Sequence, residues 1–354
     1  MSYMYKDFYG LRELPFELTL NPRYLFLTRH HREALSTLEY GLSSCQPVTV
    51  LIGEAGTGKT TLIGAALESE LCRNVSSVHL ANPTLTRNEF VEMLSARFEL
   101  GPMARASKAV MLQELERELR ERRDRGRATA IVIDEAQCLS DELLEEIRLL
   151  ANIETPTEKL LPVVLVGQPE LRSRLNAPGL RQLKQRITLR CEIQRFTPNE
   201  TAGYVAQRIR TAGGDAVTLF TREAVMLIHD RSGGIPRTIS VLCNNALLTG
   251  FALGRRPVDS EIVLDVAHDF DLGGLKMADA PPGVAVHDAS GPRTSEDVVT
   301  RSASTDSREP PAHEERENTG AAAVEDSNAS FQGYHRPKFS LFGRSWRTPQ
   351  AKVR

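Results

Sequence analysis

The chain has 354 residues, 41% of them hydrophobic, which allows a sizeable core in two domains or in one domain with appendages. Its formal net charge of −2 excludes a strong overall attraction to nucleic acid or to an anionic membrane, although a local basic patch could still exist. Five scattered cysteines make no complete disulfide set, and no apolar run approaches the roughly 18 residues of a membrane-spanning helix, so a cytoplasmic protein is expected.

Residues 1–29 contain several aromatic side chains and prolines, and they are predicted to form an irregular segment that lies against a domain. Residues 30–41 repeat apolar side chains at helical spacing, so a helix is expected to lead into the first strand. His30 and His31 point in different directions on that helix and have no third ligand nearby. This arrangement favours surface or adenine-pocket packing over a metal site.

Residues 48–52 form an aliphatic run that suits a strand buried on both faces, and residues 53–60 match the pattern Gly, four residues, Gly, Lys, Thr. The glycines let backbone NH groups point inward, so the loop and the next helix's N-terminus can hold a polyphosphate. Lys59 would reach the β- and γ-phosphates, and the Thr60 hydroxyl would bind Mg²⁺. The predicted nucleotide-binding residues of this loop are Gly53, Glu54, Ala55, Gly56, Thr57, Gly58, Lys59, Thr60 and Thr61.

The next part of the chain alternates helices and strands, which predicts a parallel, doubly wound α/β sheet. Thr86 and Glu89 have the spacing of a capping box ahead of an amphipathic helix. The other predicted elements are helices at 60–71 and 108–124 and strands at 75–80, 130–133, 163–168 and 187–193. This region, residues 30–195, is the predicted core.

Polar side chains follow two of these strands. Asp134 and Glu135 end one, Gln168 ends another, and the carboxyl ends of parallel strands meet where ligands bind. Asp134 would hold Mg²⁺ and Glu135 would orient the attacking water, unless these carboxylates merely face solvent. Gln168 would bind the γ-phosphate or that water, or it is simply a turn residue before Pro169.

A helical region then begins at Thr197, which has capping-box spacing to Glu200 and a proline at the first helical position. Further helices are predicted at 222–230, 236–251 and 259–270. Together they make a small all-α lid domain, residues 196–271. Arg237 lies at a helix start, where the dipole disfavours a cation, so either it is incidental or it points toward an anion such as a nucleotide phosphate.

Several basic residues lie next to or within the last predicted strand. In a head-to-tail homo-oligomer, one of them could reach a neighbour's γ-phosphate and neutralise transition-state charge. Spacing alone does not distinguish the candidates, which are Arg181, Lys184, Arg186 and Arg190. Four lid residues could instead contact DNA phosphates, namely Arg208, Arg210, Arg255 and Arg256.

Residues 272–354 are rich in Pro, Ser, Asp, Glu and Gly with few aliphatic side chains, which predicts a disordered tail. Its last part, residues 334–354, interleaves aromatic and basic residues. Such a segment could make a peripheral contact with a membrane, nucleic acid or a partner protein, or it could be an unselective disordered end.

The phosphate loop, the strand ends at 134–137 and 166–171 and the turn at 232–237 together resemble those of AAA+ ATPases. More narrowly, residues 8–25 resemble the N-terminal signature of the ExeA/GspA-type general secretion pathway ATPases. The resemblance covers about residues 5–270. It implies a P-loop AAA+ core with a helical lid.

The resemblance also implies a role for each candidate residue: Walker A at 53–60, Walker B at Asp134 and Glu135, sensor 1 at Gln168 and sensor 2 at Arg237. Residues 185–187 match the family's Gln-Arg-Ile stretch, which makes Arg186 the preferred arginine finger. Glu135, Lys59, Gln168 and Arg186 are therefore the expected catalytic set.

Longer family members continue into a membrane-spanning helix and a periplasmic peptidoglycan-binding domain. Neither is visible here, so the chain is expected to be closer to short cytoplasmic ATPases associated with exosortase and exopolysaccharide-export loci. The leading hypothesis is Mg²⁺-dependent ATP hydrolysis by a homo-oligomer that drives or gates assembly of an envelope export apparatus. Two alternatives stay open: a DNA-bound adaptor of the transposition-helper type, and a nucleotide-gated scaffold with little turnover.

Overall fold

A computed structural model describes residues 4–19, 21–80 and 84–272, all within one compact unit. The predicted disorder of the tail and the docking role of its segment 334–354 lie outside the described residues. Within the unit, a five-stranded sheet carries helices on both faces, and a group of helices follows the last strand.

The sheet is entirely parallel, with strand order β2-β3-β4-β1-β5. Its strands are β1 (Val48–Gly53), β2 (Val75–Leu80), β3 (Ala128–Ile133), β4 (Val163–Gly167) and β5 (Ile187–Ile193). Ile52 pairs with Gly167, and Ile133 pairs with Leu165. This register brings the carboxyl ends of β1, β3 and β4 to one edge of the sheet, so the predicted parallel α/β core is confirmed.

Successive side chains of the central strands enter two separate cores. In β3, Ile131 and Ile133 join one apolar cluster, whereas Ala130 and Val132 join the other. All residues of β1, β3 and β4 are buried because helices cover both faces, which is why these strands read as continuous aliphatic runs.

Nine α-helices occur between residue 4 and the end of β5 within the described ranges. They are α1 (Met4–Phe8), α2 (Arg29–Ser43), α3 (Lys59–Glu68), α4 (Arg87–Arg97), α5 (Pro102–Ala106), α6 (Lys108–Asp124), α7 (Asp141–Leu150), α8 (Pro169–Leu175) and α9 (Arg181–Arg186). Thr86 caps α4 through both reciprocal hydrogen bonds of a capping box. Pro102 and Pro169 each occupy the first turn of a short helix, where the missing NH costs little. A turn at Pro169 was one expectation for Gln168, and the structure instead places Gln168 at the N-cap of α8.

The helical region after β5 contains α10 (Pro198–Thr211), α11 (Ala216–Leu219), α12 (Arg222–Ser232), α13 (Pro236–Ala252) and α14 (Ser260–Asp269). Its apolar cluster includes four side chains from the start of the chain, Tyr5, Tyr9, Leu11 and Phe16. The N-terminal segment is therefore packed into the helical region and contains α1. The division of the chain at residues 29, 195 and 271 stays a prediction.

No helix in the described part of the chain combines the length and apolarity needed to cross a bilayer.

Candidate nucleotide-binding site

A cavity of about 400 Å³ lies at the carboxyl edge of the sheet. Four parts of the chain line it: the phosphate loop and start of α3 (Ala55, Gly56, Gly58, Lys59, Thr60, Thr61), the end of β3 (Asp134, Glu135), the helical region (Tyr204, Arg208, Pro236, Arg237, Ser240) and an N-terminal wall (Glu17, Leu18, Thr19, Asn21, Tyr24, Leu25). The cavity therefore joins the phosphate loop to the acidic strand end and to Arg237.

The phosphate loop is closed by its own lysine. Gly56 and Gly58 adopt left-handed backbone conformations, with φ of 79° and 97°. The Lys59 ammonium donates to the carbonyl oxygens of Gly53 and Glu54, each at 2.9 Å. Burial lowers the pKa of Lys59, while Glu135 and then Asp134 favour its charged form. The loop thus holds a desolvated cation among nearby carboxylates, and phosphate oxygens are suitable replacements for its carbonyl partners.

His31 supports the loop from behind. Its Nε2 lies 3.2 Å from the carbonyl oxygen of Thr57, and its Nδ1 lies 2.7 Å from the Thr28 hydroxyl. A carbonyl can only accept, so Nε2 carries the proton in this arrangement. Burial lowers the pKa of His31. Surface packing is therefore wrong for His31, because the ring is buried under the loop. His31 does not line the cavity, and its packing against adenine stays a prediction.

The two residues predicted to bind metal lie in contact. The Thr60 hydroxyl donates to Asp134 Oδ2 at 2.9 Å, and Asp134 Oδ1 accepts from the Glu135 backbone NH at 2.9 Å. Mg²⁺ prefers oxygen ligands and in nucleotide sites takes one or two from protein and the rest from phosphates and water. The pair fits that donor set, although the described residues contain no cluster of three or more His, Cys, Asp or Glu suited to a metal ion. The metal role of both residues stays a prediction.

Glu135 and Gln168 also come together as predicted from the strand ends. The Gln168 side-chain amide donates to Glu135 Oε2 at 3.1 Å. A second amide, that of Gln137, donates to the same oxygen at 2.5 Å. The hydrogen bond from Gln137, then that from Gln168, and the charge of Lys59 lower the pKa of Glu135. Sequence reasoning missed Gln137, although its position two residues after Glu135 was a usable signal.

The start of α13 rests on the phosphate loop. The Arg237 backbone NH donates to the Gly56 carbonyl oxygen at 3.2 Å, and a Cβ on Gly56 would lie 2.8 Å from Arg237 Cβ. On the other side of the preceding turn, the Phe196 NH donates to the Gly234 carbonyl oxygen at 2.8 Å. Arg237 therefore lines the cavity through a direct contact between the helical region and the loop.

Arg186 does not line this cavity. It ends α9, and its charge acts on Glu154, which lies in the connection between α7 and β4. Within one chain the structure therefore does not bring Arg186 to Lys59 or Glu135. This position is compatible with a finger directed at a neighbouring subunit, and that role stays a prediction.

Arg208 has a structural role that sequence reasoning missed. The side chain is buried, donates to the Tyr204 hydroxyl at 2.8 Å and to the Glu17 carbonyl oxygen at 2.9 Å, and lies 4.7 Å from the ring centre of Tyr24. The expectation that Arg208 contacts DNA is therefore wrong, because its guanidinium is enclosed by the N-terminal wall and α10.

The phosphate loop has one further link to the helical region. Glu54 forms an ion pair with Arg195 at 2.9 Å. Arg195 immediately precedes Phe196, which binds the Gly234 turn. Both partners are substantially exposed, so the pair contributes at most about 1 kcal/mol to stability.

Comparison with known proteins gives one family match and one curated relative. Residues 43–175 match the model described as an AAA domain. Over 255 residues, 72% of this chain, the sequence is 38% identical to general secretion pathway protein A of Aeromonas hydrophila. The chain spans 46% of that relative's length, slightly under half.

Among solved structures, the Aeropyrum pernix ORC2 protein in its ADPNP-ADP complexes matches with a TM-score of 0.54 at 19% identity, over 72% of this chain and 71% of that one. Cdc6p from Pyrobaculum aerophilum matches with a TM-score of 0.55 at 18% identity, over 71% and 70% of the two chains. At these identities the likeness shows the fold alone, and the predicted AAA-type fold is confirmed.

Proposed function

We propose that the chain, which contains an AAA domain and is related to general secretion pathway protein A, is an oligomeric, Mg²⁺-dependent ATPase. The observation that carries this proposal is the placement of Glu135. Its carboxylate is fixed by two amides beside the Thr60–Asp134 pair, in the cavity that also contains Lys59. Binding alone needs the loop, whereas hydrolysis also needs a carboxylate that orients water.

In the proposed reaction, the backbone NH groups of the phosphate loop and the Lys59 ammonium bind the phosphates. Thr60 and Asp134 would hold Mg²⁺, which neutralises negative charge on the β- and γ-phosphates when bound. Glu135 orients the attacking water and accepts its proton, and Gln168 positions the same carboxylate. Arg237 brings positive charge from the lid, and Arg186 of a neighbouring subunit completes the site in trans.

We further propose that the ATPase acts in the cytoplasm, where ATP is available, and that it drives or gates assembly of an envelope export apparatus. The support is the relationship to general secretion pathway protein A over 72% of this chain. Because the chain spans 46% of that relative, the export partner is inferred from the shared region alone.

Phosphate release by the full chain tests both the hydrolysis and the trans arrangement. The rate per subunit should rise with protein concentration in the presence of Mg²⁺, and Arg186→Ala should lower the maximal rate by about 10³-fold or more without weakening ATP binding. Arg181→Ala, at the other end of the same short helix, tests the alternative finger and should keep the parental rate, whereas a comparable loss there alone would assign the finger to Arg181. Absence of any phosphate release would overturn the ATPase assignment. A rate independent of concentration and of Arg186 would overturn only the trans arrangement.

Duplex DNA provides the test against an adaptor function. We expect DNA to leave the rate of phosphate release unchanged between low and physiological salt, because Arg208 is enclosed and Arg255 is paired with Asp259 and Glu261. Strong stimulation that falls steeply with salt would instead assign the chain to the DNA-bound class. If DNA does stimulate the rate, the variant Arg210→Ala, which changes an exposed lid arginine among the candidates for DNA contact, should reduce that stimulation.

A further inference from the structure

We propose that Gln137 is a positioning residue for hydrolysis, one that fixes the Glu135 carboxylate by joining the ends of β3 and β4. The inference rests on the proposed ATPase function and deepens it. Gln137 lies in the single helical turn Ala136–Cys138 that follows the acidic strand end. Its side chain contacts both of the strand ends that carry Glu135 and Gln168.

The amide of Gln137 is bound at both of its ends. Nε2 donates to Glu135 Oε2 at 2.5 Å, and Oε1 accepts from the Gln168 backbone NH at 3.1 Å. A carboxylate only accepts and a backbone NH only donates, so these partners fix which way the amide faces. Gln168 donates its own amide to the same Glu135 oxygen at 3.1 Å. The three residues therefore form a closed ring of hydrogen bonds across two strands.

This ring binds one oxygen of the Glu135 carboxylate. Both amides donate to Oε2 of Glu135, and within the described residues no hydrogen bond to Oε1 is found. Glu135 also has a left-handed backbone, with φ of 50° and ψ of 38°, which is uncommon for a non-glycine residue. Gln137 supplies the shorter of the two hydrogen bonds that hold the Glu135 carboxylate in one orientation.

The surroundings hold Gln137 itself in place. The Arg174 guanidinium on α8 donates to the Gln137 carbonyl oxygen at 2.7 Å and to the Leu139 carbonyl oxygen at 2.5 Å. A Cβ on Gly167 would lie 2.8 Å from Gln137 Oε1, so the slot for the amide has no spare room on the β4 side. A primary amide neither takes nor gives a proton at neutral pH, so the role of Gln137 is positional.

The test compares Gln137→Met with the parent chain. Met has a similar length and volume but makes neither hydrogen bond, so kcat should fall by about 10- to 100-fold, the cost of a misplaced reacting group. The Kd for ATP, measured with a fluorescent ATP analogue, should change little. Gln113→Met on the exposed face of α6 is the matched control and should match the parent.

A comparison of kcat with ATP affinity and stability separates positioning from a merely structural role. Loss of the Gln137 hydrogen bond should lower kcat while the Kd for ATP and the free energy of unfolding stay close to those of the parent, whereas a structural role would change all three. Gln137→Glu is a second variant that keeps the test decisive when Gln137→Met folds poorly. Its side chain has the same shape but cannot donate a hydrogen bond when ionised, so its kcat should fall at least as much.

The double variant Glu135→Gln with Gln137→Met distinguishes the two proposals. If Gln137 acts through Glu135, adding Gln137→Met to Glu135→Gln should cause no further loss. Parental kcat in Gln137→Met, or an equal loss of ATP binding, would overturn the role of Gln137 alone. A parent chain without phosphate release would instead overturn the ATPase proposal, and a Glu135→Gln variant with the parental rate would overturn only the role of Glu135.

Discussion

Replacing Glu135 with Gln is expected to slow ATP hydrolysis by about 10²- to 10⁴-fold, the range of a lost general base, while ATP affinity stays close to that of the parent. Gln keeps the shape of Glu, and its amide oxygen can still accept from the Gln137 and Gln168 amides, so no gap opens. The phosphate loop, Lys59 and the Thr60–Asp134 pair are untouched. The loss should therefore appear in kcat, measured as phosphate release at saturating ATP, and hardly in Kd.

The control for this variant is Glu142→Gln, an exposed carboxylate in the first turn of α7, a short distance along the chain. It makes the same chemical change without touching the cavity and should keep the parental rate. A Glu135→Gln variant that hydrolyses ATP at the parental rate would assign water positioning to another group.

Replacing Gly234 with Ala is expected to lower the free energy of unfolding by about 2 to 4 kcal/mol, from backbone strain together with a steric clash. Gly234 has a φ of 74°, and a Cβ there would lie 2.2 Å from the Phe196 carbonyl oxygen. That obstacle is backbone, so it cannot turn aside as a side chain would. The turn that carries Arg237 onto Gly56 would have to move, and ATP affinity should fall together with stability. Denaturant unfolding and ATP titration measure the two effects.

Gly254→Ala separates the clash from the strain. Gly254 has a similar φ of 64°, but a Cβ there would meet nothing within 4 Å. Its replacement should cost only the left-handed backbone penalty, about 1 to 2 kcal/mol. An equal loss of unfolding free energy in Gly234→Ala and Gly254→Ala would mean that the close approach of Gly234 to Phe196 adds nothing to the destabilisation.

Local patterns predicted much of this fold. The strands β1, β3 and β4 are aliphatic runs because both faces are buried, and the caps at Thr86 and Thr197 follow from short-range hydrogen bonds. The meeting of Thr60 with Asp134 follows from parallel topology, because strand ends share one edge. These features depend on the spacing of residues within a short segment, or on the general rule that the carboxyl ends of parallel strands lie at one edge of the sheet.

The parts that could not be predicted depend on contacts between distant segments. One interpretation makes Gln168 a turn residue before Pro169, yet Gln168 is the N-cap of a helix that Pro169 begins, because proline suits both a turn and a helix start. His31 looked like a surface or pocket residue, and only the packed fold shows it beneath Thr57. The burial of Arg208 depends on residues more than 180 positions earlier in the chain, and no local pattern encodes that distance.

The N-terminal wall changes what counts as the nucleotide-binding unit. The matched AAA domain covers residues 43–175, whereas the wall precedes it and Tyr204, Arg208 and Arg237 follow it. Gln207 donates to the Leu25 carbonyl oxygen at 2.9 Å and so ties the two outlying parts together. A fragment cut at the family limits would keep the phosphate loop and lose two sides of its cavity. For binding work, the smallest useful fragment therefore starts at the N-terminus and runs through α14, and affinity tags belong away from the first residues.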